Sequence, residues 1–118
     1  MITQFAKEQA ALLIGSRMQY FAVGPGSQTI TSGLTTLTGS EFLRIAITGS
    51  PDFSTAQKVT ISADINSVQA SGLILRQFGE FSTASSNTGS CYNINQLNGS
   101  LVCDGTIELS FEDSFQVL

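Results

Sequence analysis

Residues 70–81, Ala-Ser-Gly-Leu-Ile-Leu-Arg-Gln-Phe-Gly-Glu-Phe, constrain the fold of this chain more than any other stretch. A glycine admits a run of branched and large apolar residues, Arg76 and Gln77 interrupt it, and two aromatic rings close it around Gly79. Branched and aromatic side chains suit a pleated surface, and a glycine inside a strand marks a bulge or a close backbone approach. The spacing predicts a strand with Leu73, Leu75, Gln77 and Gly79 on one face and Ile74, Arg76, Phe78 and Glu80 on the other. It is apolar enough to be interior to a sheet, with a neighbour on each side.

The flanking segments read as material wrapped around that strand. Thr3 can cap a helix from Gln4 to about Ile14, within a helical segment spanning 1–16. Phe5, Gln9, Leu12 and Leu13, with Ala6 and Ala10 beside them, form an imperfect apolar stripe. Gly15-Ser16 is the expected stop. So short a helix is marginal alone in water, so it is expected to pack on the sheet or on a neighbouring subunit. A strand over 19–23 runs into the turn Gly24-Pro25-Gly26-Ser27. Residues 28–40 are mostly Thr, Ser and Gly, with Ile30, Leu34 and Leu37 as anchors. They read as an extended arm or ordered excursion, suited to lying on a neighbouring protein.

Strands are predicted over 41–48 and 57–65, the second alternating Val59, Ile61, Ala63 and Ile65 against polar residues. After a polar loop over 82–90, residues 91–95 and 100–103 can pair around Asn98-Gly99. Shorter strands follow over 106–111 and 115–118, with Glu112-Asp113 at a turn between them. About seven short strands and one N-terminal helix imply a single, mainly β domain over 1–118. An antiparallel β-sandwich or small barrel fits that pattern.

At 118 residues the chain can bury a real core. Ser and Thr are about twice as numerous as all charged residues, as on the exposed strand faces of an all-β protein. The net charge of −4, with no Lys or Arg after Arg76, argues against nucleic-acid binding. Ala10–Ile14 is too short for a membrane span or signal peptide, so no membrane association or targeted export is expected.

Catalytic signatures are missing. Without histidine there is no Ser-His-Asp triad, no Cys-His pair and no usual transition-metal set. The glycine turn at 24–26 lacks the lysine of a phosphate loop, so no nucleotide or other cofactor is expected. Glu108, Glu112 and Asp113 read as surface charge rather than a glycosidase pair, and no EF-hand spacing supports a calcium site with Asp104. Cys91 and Cys103 are too far apart in sequence for a redox pair. They form either a disulfide, which would need a longer or bulged turn, or two buried free thiols. Glu41, Arg44, Arg76 and Glu80 imply an Arg–carboxylate pair bracing the fold, or an interface contact.

The order of these signals resembles the small structural proteins of tailed bacteriophages. Tyr20-Phe21-Ala22-Val23-Gly24-Pro25-Gly26 is similar to their strand and glycine turn, and Leu37 with Glu41 and Arg44 to their loop-to-strand passage. Gly72–Phe81, with Arg76, Phe78, Gly79 and Phe81, is similar to the strand that closes on Gly-x-Phe. The chain departs from the pattern where Gln77 replaces an acid and where Glu80 replaces an apolar residue. The resemblance implies a non-enzymatic virion component made in the host cytoplasm: a capsid decoration protein, or a tail or baseplate adaptor. With no shaft after the last strand, the decoration role is the leading expectation. Partners would be other virion proteins, engaged as a homo-oligomer or on a lattice through Phe5, Leu12, Ile30, Leu34 and Leu37. The competing reading is a carbohydrate- or receptor-binding β-sandwich using Tyr20, Tyr92 and the amides of 82–95, which the absence of tryptophan weakens.

Overall fold

The central-strand prediction holds in the computed structural model, which describes residues 1–39, 41–85 and 88–118. The elements are α1 (Gln4–Arg17), β1 (Tyr20–Gly24), β2 (Leu43–Ala46), β3 (Lys58–Ile65), α2 (Ser67–Ala70), β4 (Ile74–Phe81), β5 (Cys91–Val102) and β6 (Leu109–Gln116). Strand β4 lies between β1 and β5 in a four-stranded antiparallel sheet of order β2-β1-β4-β5. Strands β3 and β6 form a second, two-stranded antiparallel sheet. The two are tied at one corner, where Thr48 donates its amide to the Ser62 carbonyl at 2.7 Å and Asp52 bridges Thr60.

The sheets meet over apolar rows that alternate as the sequence predicts. Val59, Ile61, Ala63 and Ile65 are all buried on β3. Phe21 and Phe78 of the larger sheet stack at 6.0 Å, and Phe111 of β6 packs on Phe78 at 5.3 Å, so three rings staple the layers together. A second cluster around Val23, Ile65, Ala70, Leu75 and Cys103 fills the far end.

Six strands form among the described residues, and they do not close into a barrel. The count falls below seven because two predicted pairs of segments are continuous. Strand β5 runs through Asn98-Gly99 without reversing, and both ends pair with β4: Gln96 opposes Gln77 and Leu101 opposes Leu75. Residues 97–100 therefore bulge outward against the single residue Arg76, with Gly99 at φ +101. This bulge also breaks the strict alternation of β4. Leu75 joins Phe78 in one cluster, whereas Gln77 is turned to Thr38 on the other face. Glu112-Asp113 likewise lies within β6, opposite Ser62 and Ile61, and makes no turn.

The disulfide is not formed; both cysteines are free. Cys91 lies opposite Phe81 and Cys103 beside Leu73, so the length of β4 separates them by about 26 Å at the usual strand rise, whereas a bridge needs Cα atoms within about 7 Å.

Of the two forms expected for residues 28–40, the described part takes that of an ordered excursion. Residues 25–39 fold back across the open face of the four-stranded sheet, where Leu37 is buried against Ala22 and Phe81. Gly26 permits this crossing, since a Cβ there would meet the Thr38 carbonyl oxygen at 1.8 Å. The end of the arm at residue 40 and loop positions 86 and 87 lie outside the described residues.

Candidate functional site

Helix α1 is the element whose sequence and packing disagree. The Thr3 hydroxyl accepts the Ala6 amide at 3.2 Å and fixes its start as the sequence predicts. It then continues past Gly15 to Arg17. Gly15 serves closeness rather than termination, because a Cβ there would sit 2.7 Å from Phe53 and from Val59. The face laid on the sheet is therefore Ala11, Ile14 and Gly15, with Met18 completing it. The opposite face carries the larger apolar groups: Phe5 is 68% exposed and Leu13 60%, with Leu12 at the margin at 41%, and Ile2 just before the helix is also exposed. The stripe legible in the sequence thus points into solvent.

Tyr92 extends this apolar surface. It borders a groove of about 290 Å³ with Leu13, Ile14 and Arg17. A neighbouring groove of about 270 Å³ joins it to Ile30, Leu34 and Ile94. Of the five interface candidates, Phe5 and Leu12 are exposed, Ile30 and Leu34 are half-buried beside Tyr92, and Leu37 is withdrawn into the chain's own core. Isolated exposed apolar residues are ordinary on protein surfaces. Large contiguous apolar patches are the ones that characterise contact surfaces.

Three polar clusters hold the framework behind that face. In the first, Arg44 of β2 pairs with Glu41, both side chains being fully withdrawn from solvent. Its Nη1 donates to the Thr83 and Thr88 carbonyls at 3.0 and 2.8 Å, and its guanidinium lies 4.1 Å from the centre of the Phe81 ring. The expected bracing pair is therefore Glu41–Arg44, and it also pins the described part of the loop after β4.

The second cluster centres on Gln77, which is buried. Its Oε1 accepts the Thr38 amide at 3.0 Å, and its Nε2 donates to Thr38 Oγ1 and to Gln96 Oε1 at 2.6 and 2.9 Å. Gln96 in turn donates to the Gly26 and Arg76 carbonyls, so one amide chain fastens the arm, β4 and the β5 bulge. Arg76 itself donates to the Pro25 carbonyl at 3.4 Å and makes no ion pair among the described residues.

The third cluster lies between the sheets. Glu80 is 1% exposed and neither carboxyl oxygen has a hydrogen-bond partner. Burial, reinforced by the neighbouring Asp113 carboxylate, pushes its pKa up to about 10. Asp113 accepts Nδ2 donors from Asn93 and Asn95 at 2.7 and 2.9 Å, joining the edges of β5 and β6. Burial also raises the Cys91 thiol beside this cluster. Sequence reasoning misplaced Asp113, yet its signal is present: Leu109, Phe111, Asp113 and Phe115 form one period-two row with an acid in it.

Among the described residues no three His, Cys, Asp or Glu side chains converge on a metal-sized site. No helix among them is long and apolar enough to cross a membrane. Glu108 and Glu112 are exposed, while Asp113 faces inward, so these carboxyls do not share one surface. No protein-family model matches the chain, and a search of curated proteins finds no match to it.

Proposed function

We propose that this chain is a non-enzymatic structural component of a tailed-phage virion, a capsid decoration or accessory protein that seats its helix on a neighbouring virion protein. The observation that carries the reading is the orientation of α1. A helix that buries alanine and glycine while presenting Phe5, Leu12 and Leu13 to solvent leaves its main apolar surface for another molecule. The phage-like order of motifs supplies the setting, with Glu41–Arg44 and the strand ending at Phe81 serving as framework.

The test is attachment. Wild-type protein and a Phe5→Ser/Leu13→Ser variant are mixed with particles lacking the protein and recovered by sedimentation, with electron microscopy to locate bound density. Wild type should decorate particles, on the capsid in the leading version, and the variant should lose attachment while melting at the same temperature. Failure of wild type to attach, or equal attachment by the variant, refutes the proposal. Density confined to the tail would replace the decoration role with the adaptor role.

A further inference from the structure

A carboxyl group enclosed between two sheets persists either beside a counter-charge or with its proton retained. Glu80 has no ion pair among the described residues, and both of its oxygens lack hydrogen-bond partners. Asn93, paired with Glu80 across β4 and β5, donates to Oδ2 of the neighbouring Asp113, as does Asn95, so that carboxylate is already held as an acceptor. Two negative charges in that space would repel with little water to screen them. A calcium ion would require roughly six to eight oxygen ligands. Here two of the four converging side chains turn N–H groups toward Asp113, an arrangement suited to an anion and a proton.

We propose that Glu80 is held as the neutral acid and shares its proton with the Asp113 carboxylate, forming a proton-dependent latch across the open seam between β5 and β6. Asn93 and Asn95 clasp the anion from β5, Asp113 carries it on β6, and Glu80 supplies the proton from β4. Loss of that proton to solvent leaves two facing carboxylates and weakens the seam. Among the described residues β6 pairs only with β3 and β5 only with β4, so no backbone ladder between them closes that side.

The other groups around Glu80 do not supply this dependence. Asp113 faces it from β6, and the Cys91 thiol lies beside it on β5, its own ionisation disfavoured chiefly by burial. Strand β1 sets Phe21 opposite Glu80, and β3 sets Ile61 opposite Asp113; neither titrates. Arg44 and Glu41 act on Cys91 and are committed to each other.

The sign follows from proton counting. Between the ordinary carboxyl value of 4.5 and the raised native value of about 10, the folded chain holds one proton that the unfolded chain releases. Stability from this group is greatest at low pH and is lost as pH rises through that window. The unfolding constant increases by up to about tenfold per pH unit.

The experiment is urea unfolding from pH 6 to 9 for wild type, Glu80→Gln and Asp113→Asn, with isotope-edited infrared spectra of the carboxyl groups at pH 7. Wild type should show the steep rise, and Glu80→Gln should flatten it and be the more stable protein at pH 9. Asp113→Asn should narrow the window from its upper end, because the opposing charge is gone. The infrared spectrum of wild type should contain a protonated carboxyl band, which Glu80→Gln lacks. A flat wild-type profile, an unchanged slope in Glu80→Gln, or no protonated band overturns the latch. So does stabilisation of wild type by added calcium with a fully ionised spectrum. Should Glu80→Gln fail to fold, the wild-type infrared titration decides alone.

Discussion

Replacing Arg44 with alanine removes the group on which four parts of the molecule converge. Its side chain and that of Glu41 are both withdrawn from solvent, so the variant takes the countercharge away from a buried carboxylate. Breaking such a pair from one side costs about 3–5 kcal/mol. The Thr83 and Thr88 carbonyls also lose charged donors, and Phe81 loses its cation. These contributions overlap, because Thr88 is exposed and its carbonyl recovers water, so about 4 kcal/mol is the expected total. Set against about 5–15 kcal/mol for a whole domain, that loss is large. Urea titration measures it as a fall in midpoint at constant slope. The decisive comparison is the double variant Glu41→Gln/Arg44→Met, which removes both charges and should be about 2 kcal/mol more stable than Arg44→Met alone. If Arg44→Ala costs under about 1 kcal/mol, or if the double variant is the sum of the singles, the pair is not the buried brace described here.

Gly15→Ala should destabilise by about 1–3 kcal/mol despite the better helix former, because the new methyl overlaps Phe53 and Val59. Circular dichroism melts check it, and a neutral or stabilising result would place the helix farther from β3. Gln77→Leu should cost about 2–3 kcal/mol by leaving the Thr38 amide and hydroxyl buried without partners. Amide exchange in residues 34–39 should accelerate in that variant, and unchanged protection would show that the arm is held some other way. Thiol titration under denaturing, non-reducing conditions should count both cysteines as free, while folded Cys91 should alkylate more slowly than an open thiol at neutral pH.

Much of the framework is written in local signals. The Thr3 cap, the alternating row of β3 and the apolar run of β4 each follow from a period or a hydroxyl that needs no distant partner. Asn66 and Gln69 form a reciprocal cap on α2, a signal present in the sequence at the right spacing. The misread segments are those where a distant strand decides. Asn98-Gly99 is a hairpin signal in isolation. Here β4 continues past it and pairs with both sides, so the same two residues make a bulge. Glu112-Asp113 looks like a turn until β3 is laid opposite, after which Asp113 falls in the buried row. The residues of the seam were visible singly, and only the facing of two sheets brings them together.

The direction of α1 shows how such a decision is made. Phe5, Leu12 and Leu13 would gain most by burial, and a sequence stripe points to them. Seating them inward would hold the helix away from β3 by the length of large side chains, whereas Ala11 and Gly15 let its backbone approach until Phe53 and Val59 touch the glycine. The small face gains contact with a sheet already fixed by its own rings, and Met18 at the helix end drops into that same cluster. The large face is left over. Substituting Gly15 with leucine should therefore do more than unfold the contact: it should free α1 from the sheet while β3 and β6 stay paired. Amide exchange resolved by residue would show α1 losing protection ahead of the strands. Simultaneous loss everywhere would mean that the helix is part of the core and not a piece laid upon it.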